Sequence, residues 1–231
     1  MYFWGYDLTY FIFMIPCLIL SLYCSAKVNS TFNKYSKVAN RRGLTGAQAA
    51  YQVLTANGVT GVTIEHVSGN LTDHFDPRTN VIRLSDKVYN STSVAAVGVA
   101  AHEAGHAVQH AQDYFPNKLR SAIVPVANIG SRLSWILILI GFLLPVQYNF
   151  VVTLGIIFFS LSVLFTLVTL PVEFNASNRA LATIQSTNLL YDDEYKGAKK
   201  TLSAAAMTYV AAAATAVAQL LRLVLLANRR R

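Results

Sequence analysis

The sequence is poor in charged residues and in cysteine. Only 13% of its 231 residues are Asp, Glu, Lys or Arg, about half of the roughly 25% that is usual in soluble domains, and 54% are hydrophobic. This composition argues against a simple soluble globular protein and favours a small domain that shares the chain with membrane spans. The two cysteines, Cys17 and Cys24, lie in one apolar run, at a spacing that suits neither a metal site nor a disulfide framework.

Long apolar runs predict three to four transmembrane helices. The uncharged run over 8–25 would be about 27 Å long as a helix, enough to span the hydrocarbon core; a cleaved signal peptide would need basic residues before it, and there are none. The runs over 135–146 and 151–172 predict a tight transmembrane hairpin. The run over 203–227 contains Gln219 and Arg222, and either spans the membrane or packs beside the other helices.

The net charge of +8 comes from basic residues near the ends of these runs. Lys27, Lys34 and Lys37 follow the first run, which predicts an N-terminus outside the cell and the next segment inside. A spanning last helix would leave the terminal arginines at 229–231 outside, whereas three spans avoid that conflict. Basic residues also suggest nucleic-acid binding, but aromatic residues do not interleave with them, so no nucleic-acid partner is expected.

The chain is predicted to divide into five segments. These are an N-terminal transmembrane anchor (1–26), a soluble insert (27–121), a transmembrane hairpin (122–172), a helix and loop (173–202), and a C-terminal apolar helix with a basic tail (203–231).

Within the insert, the pattern is that of an α+β domain. A helix is expected over 44–57, capped by Thr45, and a strand over 61–67. Residues 71–75 and 81–84 predict a β-hairpin, and a second helix is expected over 94–112, capped by Ser91, Thr92 or Ser93.

This second helix carries the sequence His102-Glu103-Ala104-Gly105-His106. Two histidines four residues apart lie on one helical face and can bind one ion, with Glu103 beside it. Zinc hydrolysis needs neutral nitrogen ligands, an open coordination position for water, and a carboxylate that takes the proton. The alternative is a pair of ordinary histidines on an alanine-rich helix.

A catalytic zinc site needs a third protein ligand. His110 lies about 6 Å further along the helix than His106, with no turn to bring it back. Glu65 falls in a predicted strand, and Glu194 in an acidic run that is expected to be a solvated loop. Glu173 directly follows the third apolar run, where a buried carboxylate needs a partner, either a zinc ion or Arg179.

The HEAGH helix, the apolar hairpin and the Pro-Val-Glu-Phe-Asn-Ala-Ser segment over 171–177 resemble the YugP-type membrane zinc metallopeptidases. The Asp-His-Phe-Asp-Pro-Arg stretch over 73–78 also resembles them, and the HtpX and CAAX-prenyl-protease peptidases are more distantly similar. The resemblance implies Zn²⁺ held by His102, His106 and Glu173, with Glu103 as the catalytic base. The chain departs from the HtpX relatives at Ser177, where they carry an aspartate four residues after the ligand glutamate.

These observations predict an α-helical membrane protein with a small α+β, zincin-like metallopeptidase insert. The favoured function is a membrane-embedded zinc endopeptidase of the cell membrane that cleaves protein or peptide substrates on the cytoplasmic side. The alternative is a zinc-stabilised scaffold or adaptor without catalysis, which would not need Glu103.

The sequence leaves more than one candidate for the group that stabilises the oxyanion and more than one role for the predicted hairpin. His74, Tyr114 and Arg179 are candidates for stabilising the oxyanion. The predicted hairpin either aligns a substrate peptide by strand addition or serves only as a structural sheet.

Overall fold

A computed structural model describes residues 2–3 and 6–229 of the chain. The strands are β1 (Tyr2–Phe3), β2 (Tyr6–Asp7), β3 (Thr63–His66), β4 (His74–Asp76) and β5 (Val81–Leu84). The helices are α1 (Leu8–Tyr35), α2 (Gly46–Ala56), α3 (Val94–Ala111), α4 (Phe115–Leu143), α5 (Asn149–Ser186) and α6 (Asp192–Asn228), with a 3-10 turn over Val146–Tyr148. The predicted fold class, a helical membrane protein with a small α+β insert, is confirmed.

Four helical segments are long and apolar enough to cross a membrane, namely Leu8–Tyr35, Phe115–Leu143, Val146–Ser186 and Asp192–Asn228. The last predicted run therefore belongs to a fourth candidate span. The predicted boundary between residues 172 and 173 falls inside α5, which continues through Pro171 to Ser186. The division into five segments stays a prediction, and of the terminal arginines Arg230 and Arg231 lie outside the described residues.

One compact unit comprises Met1–Tyr23, Lys118–Leu170 and Thr208–Arg231. Within it, glycines allow α4 and α5 to pack closely, because a Cβ atom at Gly155 would lie 2.9 Å from the backbone nitrogen of Ile138. Small residues at helix contacts are typical of membrane proteins, where close packing of the helices replaces the hydrophobic effect. In the same unit, the guanidinium of Arg222 on α6 lies 5.0 Å from the ring centre of Tyr10.

The other compact unit comprises Cys24–Asn117 and Pro171–Met207. Its core surrounds α3, whose alanines before Ala111 are almost fully buried and let neighbouring elements approach closely. The side chain of Ser93 caps α3 by accepting a hydrogen bond from the backbone N–H of Ala96, as predicted. Thr45 caps α2, also as predicted, and forms a reciprocal pair of hydrogen bonds with Gln48.

The sheet of this unit has the strand order β3-β5-β4. The central strand β5 runs parallel to β3 and antiparallel to β4. The predicted hairpin is confirmed, although β4 begins three residues later than expected, after Leu71 has adopted a positive φ of 56°. The edge strand β4 packs against α3 through Phe75, whose ring centre lies 5.8 Å from that of His110.

The prediction that Glu194 lies in a solvated loop is wrong. This side chain is only 5% exposed and lies in the first turn of α6. Its carboxylate accepts hydrogen bonds from the backbone N–H groups of Tyr191 (2.9 Å) and Arg41 (2.8 Å). A carboxylate at this position satisfies unpaired N–H groups at a helix start, which explains why an acidic run became an ordered helix terminus.

Candidate metal centre

The two histidines of the HEAGH sequence lie side by side on α3. Their ring centres are 4.7 Å apart, and the Nε2 atoms of His102 and His106 are 3.2 Å apart. The helix is regular from Val94 to Ala111, so the spacing of four residues places both imidazoles on one face, as predicted.

Glu173 reaches the same point from α5. Its Oε2 atom lies 3.3 Å from Nε2 of His102 and 3.5 Å from Nε2 of His106, and the residue is 2% exposed. The alternative partner, Arg179, donates to Asn175 Oδ1 at 2.7 Å. Among the described residues, the group of His, Cys, Asp and Glu side chains with metal-ligand spacing is the one formed by His102, His106 and Glu173.

The spacing of these three donor atoms fits a zinc ion. Tetrahedral zinc with bonds of about 2.0–2.1 Å to nitrogen and oxygen requires donor atoms about 3.3 Å apart. The three observed separations are 3.2, 3.3 and 3.5 Å. Because imidazole lone pairs and a carboxylate oxygen repel one another at this distance, a cation at their centre is the chemically complementary occupant.

The local field also favours a cation. Burial lowers the pKa of His106, but the hydrogen bond with Glu173 and the negative charges of Glu103 and Glu173 outweigh burial and raise the pKa above its ordinary value. Two carboxylates therefore impose a negative potential on the imidazole. Such a potential stabilises a metal cation as well as a proton.

A hydroxyl group supports His102 from α5. The Oγ atom of Ser177 lies 3.0 Å from Nδ1 of His102, on the side of the ring away from the ligand atom Nε2. The hydroxyl of Ser177 is a neutral hydrogen-bonding partner for this ring, at the position where the sequence departs from the HtpX-type pattern.

Gln109 forms a hydrogen bond with His106. It was not identified from the sequence as a site residue. Its Oε1 atom lies 3.1 Å from Nδ1 of His106, and the side chain is fully buried. The available signal was a polar residue one turn after His106, on the buried stripe of an alanine-rich helix. That pattern indicates a buried amide, but it does not show which groups the amide contacts.

Other candidates lie away from the three ligand atoms. His110 lies against Phe75 of β4 and is not part of the group. His74 is exposed, and alternation along β4 directs it to the opposite face from Phe75. The guanidinium of Arg179 lies 5.7 Å from the ring centre of Tyr114 and donates to Gln112 and Asn175, so its donors support the surrounding helices.

Comparison with known proteins assigns the chain to a family. The family described as "Putative neutral zinc metallopeptidase" matches residues 10–228. The chain belongs to this family. It is 48% identical over 217 residues to the "Putative membrane protease YugP" of Bacillus subtilis (strain 168), an alignment that covers 94% of this chain and 96% of the relative. No solved structure matches the chain.

Membership confirms the resemblance to the YugP family and the expectation of zinc as the metal. The family is one of zinc metallopeptidases, and its metal has a matching set of donors here in His102, His106 and Glu173.

In this family member, a glycine within the motif lets the two helices that carry the candidate ligands approach closely. A Cβ atom at Gly105 would lie only 2.5 Å from the backbone oxygen of Ala176 on α5. The helices α3 and α5 therefore touch backbone to backbone at this point, one turn from Glu173. Any larger side chain has to push α5 away from α3.

Replacement of Gly105 by alanine is expected to weaken zinc binding at least about tenfold, since a separation of the helices withdraws Glu173 from the histidines. The dissociation constant is measured by competition with a chelating zinc indicator on the purified chain in detergent. Gly98→Ala on the same helix is the control, because its Cβ would meet the Cβ of Ala198 at a milder 3.3 Å. Unchanged zinc affinity in Gly105→Ala would contradict the role of this contact.

Proposed function

We propose that this protein is a membrane-embedded zinc endopeptidase, in which His102, His106 and Glu173 hold the metal and Glu103 is the general base. The observation that carries the proposal is the convergence of two imidazoles and a buried carboxylate at zinc spacing, with a second carboxylate next in the chain to His102. Membership of a peptidase family implies a peptide or protein substrate. We propose in addition that the enzyme cleaves bonds within the substrate chain.

Glu103 has the properties of a base. It is 9% exposed on α3, and among the described residues no hydrogen bond or ion pair engages its carboxylate. Bound zinc would supply a Lewis acid that polarises the scissile carbonyl and lowers the pKa of water toward neutrality. Glu103 accepts a proton from the attacking water and transfers it to the departing amine, so the base is regenerated as the peptide C–N bond breaks.

The strand β4 offers a way to align the substrate. It lies at the edge of the sheet, and within the described part of the chain its strand partner is β5 alone. An extended peptide can add to such an edge through main-chain hydrogen bonds, which hold the scissile bond without regard to most side chains. The contact of Phe75 with His110 on α3 ties this edge to the helix of the ligands.

We further propose a four-span topology with both termini outside and the metal centre on the cytoplasmic side. Four candidate spans support the number, and the basic residues after α1, such as Lys27 and Lys34, support the direction. Arg229 then lies outside, although basic residues near membrane spans are usually on the cytoplasmic side.

A zinc-stabilised scaffold or adaptor is the second candidate function. It needs the three ligands but not a carboxylate beside them. Glu103 favours the peptidase, because a purely structural zinc site has no role for a carboxylate beside its ligands.

The change Glu103→Gln is expected to leave zinc binding intact and to lower peptide cleavage by about 10²-fold or more, because the amide cannot accept the proton. Zinc content and cleavage of a membrane-protein library are measured on the same preparation. Full cleavage by Glu103→Gln would exclude Glu103 as the base, whereas zinc binding with no cleavage by the wild type would favour the scaffold.

The topology is tested by labelling with a membrane-impermeant thiol reagent. Single cysteines are introduced at Gln147, Lys199 and Arg229 after Cys17 and Cys24 have been replaced by alanine. We expect labelling of Gln147→Cys and Arg229→Cys in intact cells, and of Lys199→Cys only after permeabilisation. Labelling of Lys199→Cys in intact cells would reverse the orientation, and protection of Arg229→Cys would remove the fourth span.

A further inference from the structure

The amide of Gln109 joins one ligand helix to the other. It is fully buried on α3. Its Nε2 atom donates to the backbone oxygen of Val172 at 2.8 Å and to Oδ1 of Asn175 at 2.9 Å, both on α5. Its Oε1 atom lies 3.1 Å from Nδ1 of His106. Val172 and Asn175 flank Glu173, so a single side chain contacts the surroundings of two metal-ligand candidates.

The partners of this amide fix its orientation. A backbone oxygen only accepts hydrogen bonds, so the amide nitrogen of Gln109 has to face Val172. Asn175 presents its own oxygen, because the guanidinium of Arg179 donates to the same Oδ1 atom at 2.7 Å and has no acceptor. The oxygen of Gln109 is thereby directed at His106.

The orientation of the amide determines where the proton of His106 lies. Because Oε1 of Gln109 only accepts, Nδ1 of His106 has to carry the hydrogen. In the neutral ring, Nε2 is then the atom with the free lone pair, and it faces His102 and Glu173. That is the tautomer which a metal ligand through Nε2 requires.

We propose that Gln109 is a positioning residue of the metal centre. It holds His106 in the Nδ1–H form and fixes the distance between α3 and the turn of α5 that carries Glu173. Asn175 and Arg179 hold Gln109 in this orientation. The inference rests on the proposed zinc site, since it assigns a role toward a metal at His106.

His102 is held differently. Its partner, the hydroxyl of Ser177, both donates and accepts, so it accommodates either tautomer of the ring. Gln109 therefore selects one tautomer of His106, whereas Ser177 allows either tautomer of His102.

A purely structural role would resemble that of Asn57. The Nδ2 atom of this residue also bonds a helix other than its own, donating to Oγ1 of Thr183 on α5 at 3.1 Å, but it contacts none of the three ligand residues. Asn57 therefore provides a matched control, because its replacement removes a side-chain amide hydrogen bond to the same helix α5 without affecting the three candidate ligands.

The test compares zinc affinity in Gln109→Leu, Asn57→Leu and wild type, each as full-length chain in detergent, by chelator competition. Loss of a group that supports a metal-ligating histidine typically weakens metal affinity about 10–100-fold, and we expect such a loss for Gln109→Leu and at most about a twofold change for Asn57→Leu. Equal affinities in Gln109→Leu and wild type would overturn the inference. Absence of zinc binding in the wild type would instead overturn the zinc site itself.

A second measurement reads the protonation of His106 directly in the wild type. In the zinc-loaded wild type with ¹⁵N-labelled histidine, long-range ¹H–¹⁵N correlation is expected to show one imidazole with a proton on Nδ1 that exchanges slowly with water, as a buried hydrogen bond requires. Selective loss of a signal in His106→Ala assigns it. A His106 ring that binds zinc through Nδ1, or whose Nδ1 proton exchanges freely, would overturn the role of Gln109.

Discussion

The candidate metal centre depends on the neutralisation of one buried carboxylate, that of Glu173. Glu173 is 2% exposed and lies within 3.5 Å of two imidazole nitrogens. Burial of a lone anion is strongly unfavourable, and neutral histidines offset it only in part. A divalent cation between the three side chains would supply the missing charge. The backbone contact between Gly105 and Ala176 makes this possible, because it brings α5 close enough for Glu173 to reach α3.

The helix α5 combines a candidate membrane span with a candidate metal ligand. This helix is part of a candidate span and also carries Glu173 and Ser177, while α3 carries the two histidines and Glu103, the proposed base. A ligand on a long, regular helix is positioned by backbone hydrogen bonds rather than by a mobile loop, and catalytic geometry benefits from such rigidity. In this member of the zinc peptidase family, the candidate metal ligands all lie on helix faces.

Local patterns in the sequence predicted much of this structure. A spacing of four residues placed His102 and His106 on one face, and the position of Glu173 directly after an apolar run indicated a carboxylate that needs a partner. Partners that are distant in sequence could not be predicted. Glu194 looked solvated because its contact with Arg41, more than a hundred residues earlier, leaves no local signature. Gln109 is similar, since its role depends on groups of α5 that only the folded chain brings near.

The central claim is that Glu173, and not His110, completes a zinc site with the two histidines of α3. The most direct test is the zinc content of purified wild type, Glu173→Ala and His110→Ala after dialysis against a weak chelator. We expect about one zinc ion per chain in wild type and His110→Ala, and a loss of most of it in Glu173→Ala, since a zinc site with only two protein ligands binds weakly. Zinc retained by Glu173→Ala but lost from His110→Ala would contradict the account.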